Sequence, residues 1–141
     1  MSKDIQVIYV SDLVPGQEDQ LPAILASAVK HNQANGITGM LLYAGGNFMQ
    51  VLEGAPQAVH ETMRRIEQDP RHRNTTVLSE EPIDERDFAD WRMGFKILGQ
   101  EEAKRFPHYA PYFQFGLNAN AIKGKPGAAL EMLKFFAARM H

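Results

Sequence analysis

FMQVLEG, residues 48–54, decides how this chain folds. Successive side chains of a strand point to opposite faces, so Phe48, Gln50 and Leu52 share one face while Met49 and Val51 share the other. Both faces are apolar, which marks a strand covered on both sides, and one amide interrupts the pattern. Just upstream, TGMLLYA (38–44) is a second strand, and the Gly-Gly turn between them makes a β-hairpin. Working outward, Ile5 to Val10 is a further strand with Ile5, Val7 and Tyr9 on one face and Gln6, Ile8 and Val10 on the other. Leu21, Ile24, Leu25, Ala28 and Asn32 are spaced as the stripe of an amphipathic helix that Asn35-Gly36 ends. Pro56 opens a second helix with Val59, Met63 and Ile66 on its apolar side. TTVLSEEPI (75–83) and RMGFKIL (92–98) supply strands four and five around the acidic turn DERDFAD.

This order predicts an α+β fold of the ferredoxin-like kind, βαββαββ, with a five-stranded mixed sheet, both helices on one face, and strands one and three adjacent at its centre. Residues 1–98 form the predicted domain, and residues 99–141 a C-terminal helical extension. The extension begins irregular and aromatic (RFPHYAPYFQF) and closes in a helix bearing Leu130, Leu133, Phe136, Ala137 and Met140. Ile8, Val10, Met49 and Val51 leave the second sheet face apolar, so this extension, or another subunit, is expected to cover it.

Composition narrows the function. The chain has 141 residues, enough for one core and too few for two ordinary domains. Its formal charge of −2 gives no field to draw it to nucleic acid or an anionic membrane. No apolar stretch approaches the roughly 20 residues of a membrane helix, so a cytoplasmic protein is the default expectation. With no cysteine, thiol catalysis and disulfides are excluded, and the five histidines are scattered without metal-ligand spacing. There is no GxGxxG, Walker loop or GxSxG elbow, and no nucleophile–base pair, so enzymatic activity is not expected. The acidic run EEPIDERD reads as a solvated turn; the basic pairs Arg64-Arg65 and Arg71 to Arg73 could meet phosphate, although such isolated pairs are usually just solvated.

The informative residues are polar ones at interior positions. Gln50 lies between Phe48 and Leu52, Tyr9 follows Ile5 and Val7, and Asn32 ends the stripe of helix one. Pairing of strands one and three brings the Tyr9 phenol to Gln50, a donor to an amide acceptor. Buried without partners, such groups cost about 2 kcal/mol each. Each alone reads most simply as a satisfied structural residue. Converging, the three admit a second reading, in which a polar ligand sits among them. Trp91 and Met93 read as core packing, and His31, Arg71 and His72 as surface.

Together IYVS (8–11), HNQANGITGMLLY (31–43), FMQVLEG, DPRH (69–72) and DWRM (90–93) resemble the BLUF family, blue-light sensors that use FAD; the resemblance spans residues 4–98. It implies non-covalent FAD, with Tyr9 as the photoactive tyrosine, Gln50 as the switching glutamine, and Trp91 and Met93 on the signalling strand. It further implies that Asn32 anchors the ring edge with His31 beside it, that Ile24, Leu25 and Ile66 wall the ring near Phe48, and that Arg71 and His72 approach the ribityl phosphate end. Met93 counts among the implied flavin contacts. Light-driven transfer of an electron and a proton from Tyr9, followed by rotation or tautomerisation of Gln50, is the implied chemistry. Arg92 and Val10 depart from the serines common at those positions. No output domain is read in the sequence, so the expected listener is a separate protein effector, and a homo-oligomer is expected. The rival expectations are a flavin oxidoreductase and a ligand-binding module of the same fold without photoreceptor activity.

Overall fold

In the computed structural model, the described residues are 3–90, 94–98 and 126–138. They form β1 (Ile5–Leu13), α1 (Leu21–Ala34), β2 (Thr38–Ala44), β3 (Asn47–Gly54), α2 (Pro56–Gln68), β4 (His72–Pro82), β5 (Gly94–Leu98) and α3 (Pro126–Ala138), with a 3₁₀ turn at Glu18–Gln20 before α1. The sheet order is β4-β1-β3-β2-β5. β1 lies antiparallel to β3 and β4, β2 antiparallel to β3, and β2 parallel to β5, so the sheet is mixed and the ferredoxin-like expectation holds.

Local sequence explains the punctuation. The β2–β3 turn has Gly45 at φ 55° and Gly46 at φ 91°, the left-handed pair that a two-residue hairpin needs to match strand twist. At the end of α1, Gly36 takes φ 66° and the Ile37 N–H donates to the Asn32 carbonyl at 2.9 Å. That is a Schellman closure, and it locks the last turn on which Asn32 sits. β1 runs three residues past the apolar run because its polar end is satisfied: Asp12 accepts from Asn47 at 2.5 Å and from Asn74 at 2.8 Å. β4 correspondingly starts at His72, three residues earlier than its own pattern predicts, to pair with Leu13 and Asp12.

Two buried clusters flank the sheet. On one face Ile5, Val7, Leu41 and Leu52 pack with Ile24, Leu25, Val59 and Met63 of α1 and α2. On the other, Ile8, Val10, Met40, Leu42, Met49 and Val51 cluster with Phe88 and with Ala129, Met132, Leu133, Phe136 and Ala137 of α3. The expected cover of the second face is therefore α3, with Leu130 packed at its margin. Met140, and the aromatic segment before α3, lie outside the described residues. No described helix is long and apolar enough to cross a membrane.

The turn after β4 is more than solvated chain. Phe88 is 1% exposed, and Arg86 donates to Asp4 at 2.8 Å and to the Gly36 carbonyl at 2.9 Å. Charge-rich composition hid this anchoring, because the partners lie far away in sequence.

Candidate functional site

β1 and β3 pair with Tyr9 directly opposite Gln50, which puts both side chains on the α1/α2 face within reach of each other. The Tyr9 hydroxyl donates to Gln50 Oε1. Tyr9 is 1% exposed, and burial pushes its phenol pKa well above the usual range, so it stays protonated at any physiological pH. Antiparallel register thus does what strand periodicity predicted.

The pair opens onto a cleft between α1, α2 and the sheet that is partly continuous with solvent. From α1 it is lined by Ile24, Ser27, Ala28, His31 and Asn32, from the sheet by Tyr9, Leu41, Phe48 and Gln50, and from α2 and the turn after it by Thr62, Arg65, Ile66, Asp69, Arg71 and His72. Of the site residues expected from sequence, Leu25 alone among the described ones is not in the lining. It sits about 100° around the helix from Ile24, off the stripe that Ile24, Ala28 and Asn32 share, and packs into the neighbouring cluster instead. Trp91 and Met93 lie outside the described residues.

The site's polar chemistry divides into an inner and an outer part. Inside, Asn32 is 1% exposed, and neither its Nδ2 nor its Oδ1 finds a hydrogen-bond partner. A buried amide with both ends unpaired costs free energy that a ligand offering an acceptor beside a donor would recover. The edge of an isoalloxazine ring, with its N3–H between two carbonyls, is such a ligand, so the residues present fit FAD.

At the rim, Arg65 meets His31 Nδ1, and His31 Nε2 shares a 2.9 Å hydrogen bond with Thr62 Oγ1. Thr62 in turn donates to the Ala58 carbonyl at 2.8 Å. Partial burial, and then the Arg65 charge, hold the His31 pKa below its ordinary value against the opposing pull of Glu61. Arg71 forms a bidentate pair with Asp69, Nε to Oδ1 at 3.0 Å and Nη2 to Oδ2 at 2.8 Å. These hydrogen bonds lower the Asp69 pKa and raise that of Arg71. His72 packs against Phe48 with the rings tilted and their centroids 4.7 Å apart, shares a 3.1 Å hydrogen bond with Ser11, and has its pKa lowered by burial. Arg65 and Arg71 at the rim of a cleft walled by Ile24, Leu41, Phe48 and Ile66 suit an amphipathic ligand that ends in phosphate.

Sequence reading missed Arg65, Thr62 and Asp69. The spacing 62, 65, 66, 69 is itself a helical stripe, and its signal was masked because only one member, Ile66, is apolar. Among the described residues no cluster of His, Cys, Asp or Glu can hold a metal ion.

Photoactivated adenylate cyclase subunit beta of Euglena gracilis is 38% identical over 87 residues, which cover 60% of this chain and 10% of that protein. The chain thus spans about a tenth of the cyclase relative's length. The dark-state structure of BlrB, a BLUF protein, superposes with a TM-score of 0.77 at 29% identity, covering 99% of this chain and 98% of that one. The photo-activated state of BlsA gives a TM-score of 0.73 at 30% identity over 93% and 94% of the two chains. The Tyr9–Gln50 pair is buried at the cleft, residues 5–94 match the family model described as sensors of blue light using FAD, and the chain belongs to the BLUF family.

Proposed function

We propose that this protein is a blue-light photoreceptor in which Tyr9 is the electron and proton donor, Gln50 the hydrogen-bond switch and Asn32 the anchor of the ring. The observation that carries this reading is the Tyr9–Gln50 hydrogen bond in a cleft whose Asn32 amide has no protein partner. When bound, FAD supplies blue-light absorption and a strongly oxidising excited state. In the dark, Tyr9 holds its proton on the phenol oxygen and donates it to Gln50 Oε1. With FAD bound, Tyr9 would give its electron and, by way of Gln50, its proton to the ring; Gln50 would then lose its donor and turn over, or tautomerise, in nearly unchanged space. Return of the electron and proton to Tyr9 leaves the amide reoriented, presenting a donor to the ring carbonyl.

The change leaves through β5 and the C-terminal helix to a protein effector in trans, and the receptor works as a homo-oligomer. Support for the first step is that β5 pairs with β2, itself hydrogen-bonded to β3.

Absorption spectra before and after blue light test the assignment. A reversible small red shift is expected in the wild type and its absence in Tyr9→Phe and Gln50→Leu; an unchanged shift in Gln50→Leu refutes the role given to the amide. Turnover of NADH faster than by free flavin would instead support the oxidoreductase reading.

A further inference from the structure

Glu53 has zero exposure, three residues after Gln50 on β3, with its side chain on the sheet face opposite the flavin cleft. A carboxylate there is tolerable only with its lone pairs filled. Three donors fill them: Gln6 Nε2 at 2.8 Å and the Asp87 N–H at 2.9 Å on Oε2, and the Phe88 N–H at 2.7 Å on Oε1. Two of the donors are backbone groups of the turn that leads from β4 toward β5. The third, Gln6, also donates to Asp87 Oδ2 at 2.9 Å, so the amide bridges two carboxylates.

What this turn carries makes the clamp consequential. The Phe88 ring is a member of the buried cluster formed with Met132, Leu133 and Phe136 of α3. Asp87 Oδ1 accepts from Lys134 of the same helix at 3.4 Å, a partly exposed and therefore weak link. The strand that bears Gln50 is thus fastened to α3 through one buried carboxylate, two backbone N–H groups and one aromatic ring.

We propose that Glu53 is the positioning residue that passes a displacement of β3 to the 84–90 turn and through Phe88 to α3, a polar output route on the dry side of the sheet. It rests on the photoreceptor reading above. A shift of β3 that follows reorientation of Gln50 moves the carboxylate, and the two N–H groups bound to it move the turn. Hydrogen bonds to a buried charge are directional and strong, so the clamp transmits displacement where apolar packing would let it slip.

Hydrogen exchange on the FAD-loaded protein, dark and illuminated, tests the route. In wild type the amides of α3 are expected to exchange about fivefold differently in light and dark. Glu53→Gln puts an NH₂ where one N–H donor points, and should abolish that ratio while the spectral red shift persists. Should Glu53→Gln not fold, Phe88→Leu keeps the backbone donor, shrinks the ring and should at least halve the ratio. A Glu53 that is only structural would raise dark and illuminated exchange together; a wild-type ratio in Glu53→Gln, or in Phe88→Leu where that variant stands in, therefore overturns the proposal. So does a wild type that shifts its spectrum without any change in α3. A wild type that shows no red shift fails at the earlier step, the photoreceptor reading itself.

Discussion

The two faces of the sheet are built from the same strands, one residue out of step, and they do opposite things. Met49 and Val51 point into the apolar cluster under α3, and the buried polar groups at its margin, Glu53 and Gln6, are hydrogen-bonded within the protein. Gln50, between Met49 and Val51 in sequence, points into a cleft with Tyr9 beside it and an unpaired amide across it. The α3 face is complete without a ligand, whereas the cleft face is complete only with one. The pleat alone thereby separates a face whose polar groups are satisfied within the protein from one that leaves an amide for a ligand.

Mutations that treat the faces differently sharpen this division, and the largest effect belongs to the α3 side. Phe136 is buried in that cluster, so Phe136→Ala should remove about 3–5 kcal/mol of unfolding free energy, measured by chemical denaturation, while the folded fraction keeps its FAD. A loss below about 1 kcal/mol would mean that α3 is not part of the core.

Next comes Asn32→Ala, which should act in opposite directions on the two forms. FAD binding, followed by fluorescence titration, should weaken by about 1–3 kcal/mol, some tenfold to hundredfold. The apoprotein should be equally stable or more so, since a buried amide without partners has been removed. Loss of apoprotein stability would show that Asn32 serves the fold instead.

Tyr9→Phe should cost only about 1 kcal/mol of stability, the net worth of one buried hydrogen bond, yet abolish the light-induced shift.

The smallest effect is that of pH. Burial lowers the His72 pKa below its ordinary 6.5, so the folded state prefers the neutral ring while the unfolded chain takes up a proton near 6.5. Stability should therefore be intact above that pH and decline as pH falls through the depressed folded value. His31 is shifted in the same direction and adds to the decline. Among the groups acting on His72, Asp69 opposes the shift and Arg71 adds to it. Unfolding midpoints of the apoprotein, wild type and His72→Gln, should diverge on acidification, the variant losing less; parallel curves would rule His72 out.

How much of this could be read in advance depended on the range of the interaction. The strands and helices were legible because their signals are local: alternation in FMQVLEG, the Gly-Gly turn, Pro56 at a helix start. The Tyr9–Gln50 neighbourhood was legible too, since strand pairing converts two local patterns into one contact. Glu53 and Gln6 were not, because nothing local says that a carboxylate on β3 will meet backbone N–H groups about 35 residues on. Arg65 was read as solvated for the same reason: its partner His31 lies on another helix. Leu25 went the other way, since an apolar stripe does not reveal which of its members faces a cleft and which faces a neighbouring side chain.

The depth of Tyr9 also bears on endurance. At 1% exposure, on a strand flanked by β3 and β4 and under α1, its ring lies out of reach of soluble thiols and other reductants. In the photochemistry proposed above, an electron taken from it would have to come back from where it went. Each cycle would then close on itself, and the proposed receptor could be illuminated many times over without drawing on any reagent from its surroundings.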